Sequence, residues 1–192
     1  MSASRKPASG RIRIIGGSLR NSRLLVPALP GLRPTPERVR ETVFNWLAPV
    51  LEGARCLDLC AGTGALGIEA YSRGAASVQF VERDAGAAQA LRENLARLKV
   101  EAQVATLDAT AFLGGVAQAF DVVFVDPPFA SQLWAQLAER LEAGGWLAAN
   151  GLIYVESSRA GVPGLPANWA THREAEAGAV RFALYRRWLP LS

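Results

Sequence analysis

The chain has 192 residues, half of them hydrophobic and a fifth charged, with a net charge of +4. That length and composition allow one domain with a full core and exclude wholesale disorder. No apolar run reaches the roughly 18 residues needed to span a bilayer, and MSASRKPASG at the start lacks the apolar stretch of a secretory signal.

Charge is unevenly spread. Residues 1–40 hold nine basic side chains (Arg5, Lys6, Arg11, Arg13, Arg20, Arg23, Arg33, Arg38 and Arg40) against Glu37 alone, a local +8 that leaves −4 for the rest. A basic arm of this kind suits a polyanion, with an ordinary solvated terminus as the plainer reading. The Arg/Ser-rich, acid-free start also fits an organelle transit peptide by composition, but residues 12–26 read as folded β structure. Thr35-Pro-Glu predicts a helix start with Thr35 as N-cap and Pro36 at the first helical position. Val39, Val43, Leu47 and Val50 then face the core, leaving Arg38, Glu41 and Asn45 as a polar stripe.

From residue 55 onward, apolar runs alternate with helical patterns. Residues 55–60 (RCLDLC) form a buried strand, and AGTGALG turns into a helix ending near Gly74. Residues 77–82 form a second strand, and Asp84 caps a helix whose inner face is Ala88, Leu91, Leu95 and Leu98. Strands over 102–107 and 120–125 follow, then a helix over 131–141 with Leu133, Leu137 and Leu141 on one stripe. A strand over 151–156 and a loop over 163–166 come next. The alternation implies an α/β fold with a doubly wound parallel sheet and right-handed crossovers. Residues 169–176 and 180–187, joined through Ala-Gly-Ala, predict an antiparallel hairpin closing one edge. Cys56, Cys60 and the single His172 leave no metal set and no disulfide framework, which points to a reducing cytosol. Both cysteines read as small buried apolar side chains.

The turn after the first of these strands, Asp58-Leu-Cys-Ala-Gly62-Thr-Gly64-Ala-Leu-Gly67, carries a G-x-G-x-x-G. In isolation the pattern is weak, but between a strand and a helix it marks the crossover where α/β sheets bind nucleotides. Glu82 ends the next strand, placed to accept the hydroxyls of a ribose, and Asp108 ends the third, placed for an adenine amine. Asp58 at the first tip would repel a pyrophosphate and attract a cation. The ligand with adenine, ribose and positive charge but no phosphate is S-adenosylmethionine.

Residues 122–129, VVFVDPPF, put an acid and an aromatic ring on a rigid fourth tip. An amine on a planar base is a poor nucleophile because its lone pair is delocalised. Asp126 and the carbonyl of Pro127 offer two acceptors that would draw its N–H bonds toward tetrahedral geometry, Pro127 and Pro128 stiffen the loop, and Phe129 offers a stacking face. Direct in-line methyl transfer needs no covalent enzyme intermediate.

The motifs D-x-x-x-G-x-G and Asp126-Pro-Pro-Phe129 resemble those of class I S-adenosylmethionine-dependent amino-methyltransferases. More narrowly, Arg13-Ile-Ile-Gly-Gly17, the run RPTPERVRETVFNWL from Arg33 to Leu47, residues 58–67 and residues 126–129 resemble RsmD-type enzymes, bacterial 16S rRNA guanine-N2 methyltransferases. The likeness runs over about residues 11–188. DPPF is shared with DNA adenine-N6 enzymes, whereas RPT-x-x-RVRET-x-FNWL is the specific part.

The resemblance implies a Rossmann-like seven-stranded sheet with an antiparallel last strand and an N-terminal β-hairpin extension. Residues 1–34 would be the basic arm and hairpin, and 35–192 the methyltransferase domain. By the same carry-over, Asp58, Ala61, Gly62, Thr63, Gly64, Glu82, Arg83, Asp108, Ala109 and Asp126 hold the cofactor, with Arg38 and Glu41 near its methionine end. Asp126, Pro127, Pro128 and Phe129 hold the base. Cys60 stands where many relatives carry an aromatic residue, a tolerated packing change. Arg11, Arg13, Arg20 and Arg23 would grip rRNA phosphates while the target guanine leaves its stack. Arg181, Arg186 and Arg187 on the last strand either extend that surface or defend an edge.

The implied partner is 16S rRNA in the small ribosomal subunit or an assembly intermediate, met by a monomer in the cytoplasm. The alternatives are an N6-adenine methyltransferase on DNA or RNA and a non-catalytic RNA-binding assembly factor. A protein-glutamine methyltransferase suits Asn in place of Asp126 and gives the basic arm no task. His172 reads as a surface or edge residue, and the five tryptophans as core or interface.

Overall fold

The computed structural model describes residues 10–161 and 164–189. Arg5 and Lys6 of the basic arm and Pro163 of the expected loop lie outside them. An antiparallel hairpin comes first, β1 (Gly10–Arg13) with β2 (Arg23–Val26). It is followed by α1 (Glu37–Leu51), β3 (Arg55–Asp58), α2 (Ala65–Ser72), β4 (Ser77–Val81), α3 (Ala85–Arg97) and β5 (Gln103–Ala105). Then come α4 (Ala109–Phe112), β6 (Phe120–Val125), α5 (Trp134–Ala143), β7 (Leu147–Ser158), β8 (Trp169–Ala177) and β9 (Val180–Arg187).

Seven strands form one sheet in the order β5-β4-β3-β6-β7-β9-β8. The first five pair in parallel, and β9 runs antiparallel between β7 and β8. Chain order reverses between β3 and β6, so a crevice opens at their C-terminal tips. The side-chain period of two sorts the core. Cys56, Val122, Phe124, Leu152 and Tyr154 face α1, α2, α3 and the hairpin, while Leu57, Val123, Val125, Ile153 and Val155 face α4 and α5. Burial on both faces is why these strands read as unbroken apolar runs.

Several local expectations change. α1 begins at Glu37 with Pro36 as its cap, and Thr35 makes no capping bond because its hydroxyl is used elsewhere. Val50 is 41% exposed, and Leu51 takes its place in the core because the i+4 series from Val39 continues to 51. The helix expected over 131–141 starts at Trp134, since Phe129–Ser131 form a 3-10 turn and Gln132 is left-handed at φ 51°. The last strand is interior, and β8 forms the edge. Asp84 does cap α3, accepting from Ala87 N at 2.8 Å, and the inner face of Ala88, Leu91 and Leu95 is buried.

The hairpin is bolted to the sheet domain. Asn94 of α3 accepts from Leu25 N at 2.9 Å and donates to Leu25 O at 2.8 Å. Fully buried Glu69 of α2 accepts from Ile15 N at 2.9 Å, Gly16 N at 2.8 Å and Arg73 Nε at 2.9 Å. Arg40, counted above with the basic arm, is instead buried at 2% exposure. It faces Glu69 at 3.5 Å and donates to the carbonyls of Thr35 and Arg13 at 3.1 and 3.0 Å. Gly17 explains the paired glycines of RIIGG: at φ +77°, a Cβ there would lie 1.8 Å from Ser72 O.

Candidate active site

β3 delivers Asp58 to the crevice, and the chain then turns through Gly62 and Gly64 at positive φ of 53° and 76°. Backbone bonds pin the turn: Leu59 N donates to Phe124 O, Ala61 N to Val81 O and Gly64 N to Ala61 O. Thr63 Oγ1 accepts from Ala65 N at 3.3 Å. A Cβ on Gly64 would sit 2.3 Å from Leu91 Cδ1, so α3 packs directly against the turn. On the open side, Leu32 reaches to 3.3 Å from where a Gly62 Cβ would lie. Leu32 also lines a groove of about 390 Å³ shared by Arg11, Ile12, Val26, Leu29 and Pro34.

Acids ring this turn. Asp58 is 2% exposed and accepts from Gly67 N at 3.0 Å, taking up an unpaired N–H in the first turn of α2. Burial pushes its pKa up to about 7, and the charge of Glu82 adds to the rise. Glu82 accepts from Gly62 N at 2.7 Å and Asp84 N at 2.8 Å, one bond per oxygen, so each oxygen retains a lone pair. Asp108 is exposed and caps α4, accepting from Thr110 Oγ1 at 2.5 Å and Ala111 N at 2.8 Å through Oδ1. Those two bonds hold its carboxyl below the usual range. Its Oδ2 has no hydrogen bond among the described residues. Arg83 is exposed beside it, and Ala109 is buried as the first residue of α4.

Asp126 follows β6 and takes no hydrogen bond among the described residues within hydrogen-bond distance. The residue is half-buried at the C-terminal tip of the strand, next to the crevice. Burial, Glu156 and Asp58 together hold its carboxyl well above the usual range, with the Thr35 hydroxyl working the other way. The carbonyl of Pro128 is occupied by Ser131, through N at 2.9 Å and Oγ at 2.6 Å, whereas that of Pro127 is free among the described residues. Phe129 is 40% exposed and leans on Trp134 at 5.9 Å between ring centroids.

Sequence reasoning missed four residues here. Glu156 lies within β7 beside Asp126, one step past the Val125–Val155 pair, and is buried. Its Oε2 accepts from Tyr154 OH at 2.9 Å and Thr35 Oγ1 at 3.4 Å, and its backbone carbonyl accepts from Trp134 Nε1 at 2.9 Å. The available signal was an acid ending an otherwise apolar strand, the same pattern that singled out Asp58 and Glu82.

The expected arginines divide. Arg11, Arg20 and Arg23 are exposed with no side-chain partner among the described residues. Arg13 is engaged by Glu37 and by Asn21 at 3.2 Å. Arg38 and Glu41 are exposed on α1, and the charge of Glu41 acts on Arg13. Arg181 pairs with Glu174 and donates to Tyr185 OH at 3.1 Å, while Arg187 grips Glu142 at 2.8 Å. The edge-defence reading of these three falls with β9 being interior. His172 sits half-buried on edge strand β8 at a register shift. Burial raises both thiols, Cys56 to about 12 and Cys60 further, so neither is a nucleophile at neutral pH.

The family described as Conserved hypothetical protein 95 matches residues 12–186. Ribosomal RNA small subunit methyltransferase D of Escherichia coli (strain K12) is 52% identical over 181 residues, covering 93% of this chain and 91% of the relative. The protein of the same name from Haemophilus influenzae is 42% identical over 184 residues, covering 93% and 95%. The solved structure of yhhF from Escherichia coli superimposes with a TM-score of 0.88 at 49% identity, over 94% of this chain and 100% of that one. With a matching fold and near full-length similarity, the chain belongs to the Conserved hypothetical protein 95 family, the RsmD family.

Proposed function

We propose that this chain transfers a methyl group from S-adenosylmethionine to the N2 amine of a guanine in 16S rRNA. The observation that carries the reading is the tip of β6, where Asp126 and the Pro127 carbonyl have no hydrogen-bond partner among the described residues, beside the glycine turn. The relatives' name, ribosomal RNA small subunit methyltransferase D, supports the rRNA substrate. Guanine N2 rests on the resemblance and on the chemistry of a flat amine.

The crevice suits a cationic ligand. Asp58, Glu82, Asp126 and Glu156 converge on it, and none has a basic partner among the described residues. Crowded carboxylates of this kind repel a phosphate and are relieved by a positive charge. Glu82 would take the ribose hydroxyls on its remaining lone pairs, and Asp108 Oδ2 the adenine amine. Ala61 to Gly64, Arg83 and Ala109 would line the pocket. Asp58 would face the positive end, with Arg38 and Glu41 of α1 beyond it.

When bound, S-adenosylmethionine supplies a methyl on a positively charged sulphur; transfer forms the N2–C bond, breaks the C–S bond, and leaves a thioether and one amine proton. Asp126 and the Pro127 carbonyl accept the two N–H bonds, which concentrates the nitrogen lone pair opposite them. Asp126, held above the usual carboxylate range, also takes the released proton. Phe129, backed by Trp134, stacks the base.

Residues 1–34 act as the RNA-facing arm of a monomer, with Arg11, Arg20 and Arg23 on phosphates and Arg13 partly committed to Glu37. The substrate is the small subunit or its assembly intermediate, and the site of action is the cytoplasm. No helix among the described residues is long and apolar enough to cross a membrane. The test is to incubate small-subunit rRNA with the protein and labelled S-adenosylmethionine, then digest to nucleosides. N2-methylguanosine supports the proposal. N6-methyladenosine favours the adenine reading that DPPF permits, and no label with intact cofactor binding favours a non-catalytic RNA-binding factor.

A further inference from the structure

The acid after β6 and its neighbour within β7 differ in how they are held. Asp126 has no hydrogen bond within hydrogen-bond distance among the described residues. Glu156 is 7% exposed and clamped on one side only: Tyr154 OH and Thr35 Oγ1 both donate to Oε2. Oε1 has no bond among the described residues, yet no buried side-chain oxygen there is left unpartnered. The charge of Glu156 acts on Asp126, so the two carboxyls are close neighbours. The Val125–Val155 pairing puts the next residues of both strands, Asp126 and Glu156, side by side on one face.

A guanine offers that pair of acids something specific. Its N2 amine lies next to a ring N1–H, so its edge presents donors at two neighbouring positions. Adenine and 2-aminopurine carry an unprotonated ring N1 there, an acceptor that a carboxylate oxygen repels. We propose that Glu156 is the residue that selects guanine, its Oε1 accepting the ring N1–H while Asp126 and the Pro127 carbonyl hold the adjacent amine. The inference rests on the guanine-N2 reading above and names how that site chooses its base. Thr35 and Tyr154 are positioning residues that aim Oε1 by holding Oε2, and Thr35 is itself fixed by buried Arg40 at its carbonyl. The RPT segment thereby acquires a task in base selection.

The geometry supplies a discriminating variant. In Glu156→Gln the two hydroxyl donors keep the amide oxygen on their side and turn the amide N–H₂ toward the base. An acceptor facing ring N1 becomes a donor. The substrate pair is small-subunit rRNA fragments carrying either guanine or 2-aminopurine at the methylated position, since both keep the N2 amine. Wild type should favour guanine in kcat/KM by about 10- to 100-fold, the worth of one hydrogen bond to a charged group. Glu156→Gln should lose about that factor on guanine and gain on 2-aminopurine, so that the ratio approaches or passes one.

A Gln variant that slows both substrates equally, preserving the ratio, overturns the proposal, because a merely structural role moves both. So does a wild type that does not discriminate. Calorimetry with S-adenosylmethionine checks that the variant is folded. If it is not, Thr35→Ala and Tyr154→Phe are read on the same ratio, which should narrow in each; an unchanged ratio in both overturns the assignment. Methyl found on adenine N6 instead of guanine N2 in wild type refutes the underlying reading, and is recognised from the nucleoside product before any ratio is taken.

Discussion

Replacing Asp58 by Asn separates two roles that one carboxyl combines. In the folded chain this carboxyl is 2% exposed, accepts from Gly67 N at 3.0 Å and has its pKa pushed up to about 7, from an ordinary 3.8. Burial is the main cause and the charge of Glu82 the lesser one. A rise of about 3 units corresponds to about 4 kcal/mol at 1.36 kcal/mol per unit. The folded-state pKa lies above the unfolded one, so the contribution to stability is full below about pH 4 and is lost as pH rises through about 7. Asn keeps an oxygen for Gly67 N–H and never ionises. Asp58→Asn should therefore melt higher than wild type at pH 8, with a gap that narrows toward pH 5 and closes near pH 4. For a chain of this size each kcal/mol is worth roughly 2–4 °C. The same variant should bind S-adenosylmethionine more weakly at pH 8, because a cationic ligand loses an anionic neighbour. Thermal melts at pH 5, 6.5 and 8, paired with calorimetry, read both effects. A variant no more stable than wild type at pH 8, or one with undiminished affinity, refutes the argument from buried charge.

Gly17→Ala places a Cβ 1.8 Å from Ser72 O at φ +77° and should cost about 2–5 kcal/mol in urea denaturation, adding left-handed strain to overpacking. Arg40→Ala removes the more distant of two guanidiniums on buried Glu69, leaving Arg73 in place, and should cost about 1–3 kcal/mol, whereas Arg55→Ala, at the half-exposed Arg55–Asp121 pair, should cost no more than about 1 kcal/mol. Changing Arg11, Arg20 and Arg23 together to Ala should make the slope of log K against log salt for small-subunit rRNA less negative by about 2, at about 0.7 per phosphate contact. Phe129→Ala should weaken substrate use by about 1–3 kcal/mol in kcat/KM while leaving S-adenosylmethionine affinity as it was.

What the sequence disclosed depended on how local each determinant is. The strand over 120–125 and the Asp84 cap were readable because a run of β-branched residues and a capping Asp act within a few positions. The glycine turn was readable because strand, glycines and helix follow one another directly. Thr35 misled for the opposite reason: its hydroxyl has a local cap available but bonds Glu156, 121 residues away. Glu156 likewise gains its meaning only from the strand order that sets β7 beside β6. Arg40 looked like part of a basic arm, and only the docking of the hairpin onto Glu69 reveals why a guanidinium is buried there. The place of β9 inside the sheet is a choice among pairings that a hairpin signal alone does not make.

In the proposed reaction the acid that follows β6 polarises the target amine. The most direct test of that role is single-turnover methyl transfer to small-subunit rRNA at saturating S-adenosylmethionine, comparing wild type with Asp126→Ala. The predicted result is a rate lowered about 10²- to 10³-fold, the scale for losing one preorganised electrostatic contact, with cofactor still bound. Full turnover by Asp126→Ala would contradict it.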